Sequence, residues 1–238
     1  MAQSGSVLWL SGWSVDSSVW EGVVEMAPHL IHEHVDFLGC GSAQAVLERA
    51  EEKFVALPSP IRMVGWSLGA ILALQLAQRY SECIQQLFLI GSTGRFVRQN
   101  DSHGWDSRVL RRMERRIEKD VEGTLRDFDT RLFSEREKAR GEGERWQTHR
   151  QTMPTDREMR GGLQMLATFD WYQENVSLGV EAYLLSGQED HICPPEGASR
   201  LYSSLSNATL EVWEGAGHLP FWTEEQRFHK WLVERMEA

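Results

Sequence analysis

The chain has 238 residues, 41% of them hydrophobic, which is enough for one α/β domain with a full core. Its formal charge of -10 argues against general nucleic-acid binding, no apolar run reaches the roughly 18 residues that cross a bilayer, and the N-terminus lacks a basic segment followed by a hydrophobic one. Three scattered cysteines, Cys40, Cys83 and Cys193, form no C-x-x-C and fit free thiols in a reducing compartment, so a cytoplasmic protein without membrane contact is expected.

Val7 to Leu10 reads as the first strand, and Ser11-Gly12-Trp13 follows it as a loop. A helix near Val19 to Ala27, a strand near His34 to Phe37 and a helix near Ala43 to Ala56 come next. His29, His32 and His34 approach that strand with no cysteine pair and no H-E-x-x-H, so they match no standard zinc pattern, and no metal is expected.

Ile61-Arg62-Met63-Val64 then leads into Gly65-Trp66-Ser67-Leu68-Gly69, a serine between two glycines, and into the apolar helical run Leu68 to Ala77. A strand that enters a helix through so sharp a turn crowds the serine's neighbours, so the flanking residues must be tiny while the hydroxyl is held above the sheet edge. The pattern reads as a nucleophile elbow with Ser67 as nucleophile. The helix N-terminus behind it suits an anion that forms at the serine.

A further strand spans Gln86 to Ile90; strands then cease for about ninety residues and resume at Val180. Residues 1–94 and 171–238 are expected to form the core and 95–170 a helical insertion. Val109, Met113 and Ile117 make one apolar stripe, and Leu125, Phe128 and Leu132 another. Such helices can cover a site as a lid, with Phe128 and Phe133 as walls of an acyl pocket. Between Arg95 and Arg160 there are 17 Lys+Arg against 14 Asp+Glu, which leaves 8 basic and 21 acidic residues elsewhere. This basic island suits an acidic partner or an anionic substrate, and equally a set of solvated helices laced with ion pairs.

The elbow requires an acid and a histidine in loops after later strands. The strand Val180 to Ser186 is followed by Gly187-Gln188-Glu189-Asp190-His191, and the strand Leu210 to Trp213 by Glu214-Gly215-Ala216-Gly217-His218. Asp190 is the candidate acid, with Glu189 and His191 beside it as rival positions, and His218 is the candidate base. A serine hydroxyl is hardly ionised at neutral pH, so an imidazole must take its proton, and a carboxylate must fix that imidazole's tautomer. Negative charge then grows on a carbonyl oxygen, where each backbone N–H donor contributes about 3 kcal/mol; the expected donors are Leu68 and Trp13. Strands separated by helices imply a parallel sheet with helices on both faces and a ligand site at the carboxyl ends of the strands. Thr223-Glu224-Glu225-Gln226 has the pattern of a capping box that opens a last helix, with Phe228, Trp231 and Leu232 on its buried face.

With these pieces in place the chain resembles the α/β-hydrolase superfamily, and within it the pimeloyl-acyl-carrier-protein methyl ester esterases of biotin synthesis. The resemblance spans nearly the whole chain and is carried by Gly12-Trp13-Ser14 with Val19-Trp20, the elbow, Gly161-Gly162-Leu163-Gln164-Met165-Leu166 with Asp170, Gly187 with Asp190 and Pro194, and His218 with Pro220-Phe221. It implies a cofactor-independent serine carboxylesterase with Ser67, Asp190 and His218 as its triad, Trp13 and Leu68 as oxyanion donors, and Phe128 against the substrate. It further implies that an acidic acyl-carrier protein docks on the insertion, with Arg126, Arg136 and Arg140 as candidate contacts, and that the enzyme acts on small-molecule esters as a monomer. The same triad also serves thioesterases, lactonases and carbon–carbon bond hydrolases, and a non-catalytic ligand-binding protein can share the fold. The chain departs from its relatives at Ser11, where most have histidine, in the loop Asp36 to Ser42, which is short and lacks proline, and at its start, where only Met1 to Ser6 precede the first strand, so a sheet of about six strands is expected.

Overall fold

The computed structural model describes residues 5–24, 27–99, 104–150, 152–173 and 178–237. In chain order the elements are β1 (Ser6–Leu10), a 3-10 turn (Ser17–Trp20) that runs into α1 (Glu21–Val24), β2 (Ile31–Val35), α2 (Ala43–Val55), β3 (Ile61–Trp66), α3 (Leu68–Tyr80) and β4 (Ile84–Ile90). Then come α4 (Ser107–Ile117), α5 (Val121–Asp129), α6 (Glu135–Ala139), α7 (Glu142–His149) and α8 (Asp156–Thr168), followed by β5 (Glu181–Gly187), α9 (Pro195–Ser204), β6 (Ala208–Trp213), α10 (Pro220–Thr223) and α11 (Glu225–Met236). Among the described residues, the stretch between β4 and β5 contains helices and only isolated bridges in place of strands. One such bridge pairs Arg95 with Asp170, and their side chains form an ion pair of 3.1 Å across the neck of the insertion.

The strands form a single six-stranded sheet in the order β2-β1-β3-β4-β5-β6, with every pairing parallel. The chain moves from β1 outward to β2 and then returns to the other side of β1 to lay down β3. The order therefore reverses between β1 and β3, and a crevice at such a reversal is the usual ligand site of an open α/β sheet.

Side chains alternate across each strand, so the two faces can be assigned. On β3, Gly65 faces α3, because a Cβ there would lie 2.5 Å from the carbonyl oxygen of Gly69. Gly69 in turn leaves no room for a side chain, since its Cβ would sit 2.1 Å from the carbonyl oxygen of Leu10. These two glycines let α3, whose inward residues from Leu68 to Leu74 are all buried, rest directly on β1 and β3. The opposite face carries a run of aromatic contacts: Trp9 to Trp20 at 5.3 Å, Trp20 to Phe221 at 4.6 Å, Phe221 to Trp66 at 5.3 Å, and Phe228 to Trp231 at 5.7 Å. Large rings that bury this much area dominate core energetics.

The structure corrects several expected details. The second strand is Ile31–Val35 rather than His34 to Phe37. It is the edge strand, only its last residue is fully buried, and its polar His32, Glu33 and His34 hide the strand pattern. His32 and His34 stack on Trp9, and Trp9 Nε1 donates to His32 Nδ1 at 3.0 Å, which makes them packing residues. The first helix begins as a 3-10 turn, and its expected course to Ala27 crosses residues 25–26, outside the described residues. On α4 the inward stripe is Leu110, Met113 and Ile117, whereas Val109 is exposed. No capping box forms at Thr223, which ends α10; its hydroxyl donates instead to Glu137 Oε1, and Glu224 caps α11 without a side-chain bond.

Two glycine substitutions test the packing in opposite directions. Gly69→Ala is expected to destabilise the protein by about 2 kcal/mol or more through forced overpacking. Gly143→Ala, in α7 where a Cβ meets nothing within 4 Å, should stabilise it by about 0.5–1 kcal/mol. Urea denaturation midpoints of the two variants check both signs.

Candidate active site

Ser67 stands between β3 and α3 with φ 56° and ψ -113°, a positive φ that a residue with a side chain rarely adopts. Its N–H donates to the Ile90 carbonyl of β4 at 2.9 Å, and its carbonyl accepts from Ala70 at 3.0 Å. The turn is thus tied to the neighbouring strand and to the helix that it opens. The side chain is nearly buried, at 6% exposure. Leu68 is the first residue of α3, so its N–H belongs to the first turn, where no intrahelical acceptor exists.

His218 lies in the loop after β6 and is held at three atoms. Its N–H donates to the Leu132 carbonyl at 2.7 Å, its carbonyl accepts from Trp66 Nε1 at 2.9 Å, and its Nδ1 meets Asp190 Oδ2 at 2.7 Å. Asp190 cannot swing away, because Oδ1 accepts from the Ile192 and Cys193 N–H groups at 2.8 Å each. An aspartate so placed acts as acceptor, which assigns the proton to Nδ1 and leaves the Nε2 lone pair for another donor. Nε2 is buried and has no hydrogen-bond partner among the described residues. The imidazole also packs on the ring of Trp66, the residue before Ser67, at 5.5 Å.

The structure therefore brings Asp190 and His218 together directly and places His218 against the residue that precedes Ser67. The rivals are elsewhere: Glu189 is half-buried and uses its N–H on Ala216, and His191 is exposed. Trp13 and Leu68 are both buried, and Gly162 of α8 approaches them so closely that a Cβ would lie 2.4 Å from the Trp13 ring and 3.3 Å from Leu68. That contact explains Gly162, while Gly161 is required on another side, where a Cβ would lie 2.5 Å from the Cys40 carbonyl oxygen. Trp13 Nε1 donates to the Met159 carbonyl at 2.8 Å, and Phe128 meets the Trp13 ring edge-on at 4.8 Å. Phe133 is buried against Trp146.

Space near these groups is scarce. The gap bordered by Trp13, Leu68, Phe37 and Gly162 measures about 10 Å³. A cavity of about 660 Å³ lies between α4 and α8, bordered by Val97, Leu110, Arg111, Arg157 and Leu163, and neither Ser67 nor His218 lines it. The small gap borders the expected oxyanion donors Trp13 and Leu68 but neither Ser67 nor His218, and the larger cavity is one residue along α8, from Gly162 to Leu163.

The three arginines carried over from the resemblance do not cluster. Arg126 pairs with Glu122 at 2.7 Å on its own helix, Arg140 pairs with Glu224 at 2.9 Å, and Arg136 lies over Gly215. Glu224 holds the Arg140 guanidinium above its ordinary pKa. Two contributors escape sequence reading. Arg150 donates to the Ser14 carbonyl at 2.6 Å and pairs with the buried Asp129 at 2.9 Å, and Glu137 binds the loop of His218. Burial raises the Asp129 carboxyl pKa, and the Arg150 charge opposes that rise. Among the described residues, no group of three His, Cys, Asp or Glu side chains could hold a metal, and no helix is long and apolar enough to cross a membrane.

A wholly parallel sheet, a strained serine at the β3–α3 turn and a buried Asp–His couple define an α/β hydrolase, and the model of the alpha/beta hydrolase family matches residues 7–231. The chain belongs to that family. It is similar to the pimeloyl-[acyl-carrier protein] methyl ester esterase of Nitrosomonas europaea, 31% identical over 228 residues that cover 92% of this chain and 90% of the relative. The protein of the same name from Pectobacterium atrosepticum is 28% identical over 237 residues, 96% of this chain and 93% of the relative. Among solved structures, an esterase from Exiguobacterium antarcticum superimposes with a TM-score of 0.82 over 100% of this chain and 94% of that one; at 17% identity it attests the fold.

Burial raises the Cys193 thiol pKa well above its ordinary value, and the neighbouring Asp190 carboxylate acts in the same direction; burial raises Cys40 as well. Thiolate is the reactive form, so neither should react readily at neutral pH. Of the three free cysteines only the partly exposed Cys83 is expected to react rapidly with an aromatic disulfide reagent, the other two reacting after denaturation. Absorbance titration with peptide mapping checks this.

Proposed function

We propose that the chain is a serine carboxylesterase that hydrolyses the methyl ester of a pimeloyl chain borne by acyl-carrier protein. The chemistry rests on one observation above all, the buried imidazole of His218 fixed by Asp190 at 2.7 Å with Nε2 left to take a proton. The substrate class rests on the 31% identity to an esterase of that name.

In this mechanism Ser67 Oγ gives its proton to His218 Nε2 as the oxygen attacks the ester carbonyl, and Asp190 stabilises the imidazolium. The oxyanion lies at the N-terminus of α3, where the Leu68 and Trp13 N–H groups are the proposed donors. Collapse breaks the bond to methoxide, which takes the proton from His218 and leaves as methanol. Water then attacks the acyl-enzyme, with His218 again as base, and the free acid departs. Residues 95–170 form the lid, and Phe128 walls the site. A cytoplasmic setting belongs to the same proposal and is supported by the three free thiols.

Docking of the acidic carrier is assigned to the basic insertion. Arg126, Arg136 and Arg140 are candidates, but α4 offers a more available row: Arg108, Arg111, Arg112 and Arg115 lie at i, i+3, i+4 and i+7 on its exposed side. Arg111, Arg112 and Arg115 have no ion pair among the described residues, so a partner's carboxylates need not displace internal ones.

Ser67→Ala should abolish hydrolysis of short p-nitrophenyl esters and labelling by a fluorophosphonate, and Asp190→Asn should lower kcat by about 10⁴-fold. Rescue of a bacterial strain that lacks its pimeloyl-ester esterase, in medium without biotin, tests the substrate. Hydrolysis in vitro with no rescue would leave an esterase or thioesterase of other substrates.

Docking is tested separately. Reversal of Arg111, Arg112 and Arg115 to Glu should lower kcat/KM for a carrier-bound ester about tenfold or more at low salt, with little change on a p-nitrophenyl ester and a smaller effect at high salt. The same loss from reversal of Arg126, Arg136 and Arg140 instead would move the contact to α5 and α6.

A further inference from the structure

α6 opens with a capping box in which Ser134 Oγ accepts from the Glu137 N–H and Glu137 Oε2 accepts from the Ser134 N–H at 2.8 Å. A capping box needs no burial, since it is local to one helix turn. The box that opens α8, Thr155 with Glu158, leaves its glutamate half-exposed. Glu137 is different: its exposure is 0%, while Glu135, Arg136, Lys138 and Ala139 around it are exposed. A carboxylate withdrawn from water requires compensating donors, and those of Glu137 come from far along the chain. Oε2 also accepts from the Gly217 N–H at 3.0 Å, and Oε1 accepts from Thr223 Oγ1 at 2.6 Å.

Gly217 immediately precedes His218. The same insertion segment makes two further bonds to that loop, from Ser134 Oγ to the Gly215 carbonyl at 2.8 Å and from the His218 N–H to the Leu132 carbonyl at 2.7 Å. The approach is close enough that a Cβ on Gly217 would lie 2.6 Å from the Leu132 carbonyl oxygen and 2.7 Å from Glu137 Oε2. The backbone that carries the imidazole is therefore bound on one side by residues 132–137 and on the other by Trp66.

We propose that Glu137 is a positioning residue for His218: it reaches across from α6 to fix the Gly217 N–H, and so makes the ordered insertion a condition for a competent base. The proposal rests on the hydrolase reading above. Reacting groups must be held to within a fraction of an ångström, and a loosened base loop reduces turnover more than substrate binding. Glu137 touches no substrate and acts only through the loop.

Reach, not charge, is what the geometry requires. In Glu137→Gln the amide oxygen still accepts the two N–H groups, and the amide nitrogen donates to Thr223 Oγ1, whose proton turns from residue 137 to the Leu219 carbonyl, 3.1 Å away. Glu137→Asp keeps the charge but is one methylene too short to hold both N–H groups. With a short p-nitrophenyl ester, well below each variant's thermal midpoint, Gln should keep kcat within about threefold of wild type. Asp and Ala should lower kcat about 10- to 100-fold and slow fluorophosphonate labelling in parallel, with KM changed less than about threefold. Asp carries the same test if Ala does not fold. Asp and Ala variants that melt earlier but turn over at the wild-type rate per folded molecule would overturn the proposal, and so would a Gln variant as impaired as Asp. A wild type that neither hydrolyses nor takes the label would remove the hydrolase reading itself; an active wild type matched by Asp and Ala would remove only the role of Glu137.

Discussion

The backbone of Ser67 is the constraint on which the rest of the structure depends. A residue with a Cβ at φ 56° and ψ -113° costs about 1–3 kcal/mol and persists only where its surroundings over-determine it. Here the surroundings are the most deeply buried parts of the molecule. β4 accepts the Ser67 N–H, the fully buried Leu10 end of β1 lies against Gly69, and α3 is apolar through its inner turns. The strain sits at the point where the strand order reverses, between β1 and β3, which is the usual ligand position of an open α/β sheet. Core burial, at about 25 cal/mol per Å² of apolar area, is large enough to hold such a turn; an isolated strand–helix junction would relax.

The insertion completes what the sheet begins. On one side, residues 132–137 grip the loop of His218; on the other, Arg150 grips the Ser14 carbonyl and Met159 accepts from Trp13 Nε1. The Arg150–Asp129 pair behind the second grip is about nine-tenths buried on both sides. Both members belong to the insertion, so the pair braces it internally and holds Arg150 where it reaches the Ser14 carbonyl; loss of one member leaves a buried charge and costs about 3–5 kcal/mol. The cavity between α4 and α8 is lined by none of the residues that make these two grips.

Legibility in the sequence followed locality. The sharp turn at Ser67 is legible because its strain demands glycine at 65 and 69 within five residues, and the meeting of Asp190 with His218 because each lies in the loop after a recognisable apolar strand. β2 begins three residues before the expected His34 because an edge strand need not alternate cleanly, and His32, Glu33 and His34 face partly into solvent. Thr223 looked like a helix cap because its spacing to Gln226 is right, yet a carboxylate 86 residues away takes its hydroxyl. Glu137 illustrates the limit most clearly. The pattern Ser134-x-x-Glu137 announces a cap correctly, and nothing local distinguishes a glutamate on the surface from one whose second oxygen binds Thr223 and whose first also binds Gly217.

The same physics explains why these long-range grips accompany a site of this kind. A buried imidazole nitrogen without a partner costs about 1–3 kcal/mol, and a positive-φ serine adds to it. The first cost falls on an atom that the proposed chemistry uses, His218 Nε2, and the second on the backbone that carries the Ser67 hydroxyl. Local structure cannot absorb them, because any local relaxation would satisfy Nε2 or flatten the turn and so erase the reactive arrangement. The compensation has to come from groups that do not react, which is the position of Asp190 with its two backbone donors, of Trp66 on the His218 carbonyl, and of Glu137 on the Gly217 N–H. A frustrated centre inside a fully bonded frame is then the stable arrangement, and the frame, drawn from elements far apart in sequence, is the part that a motif cannot reveal.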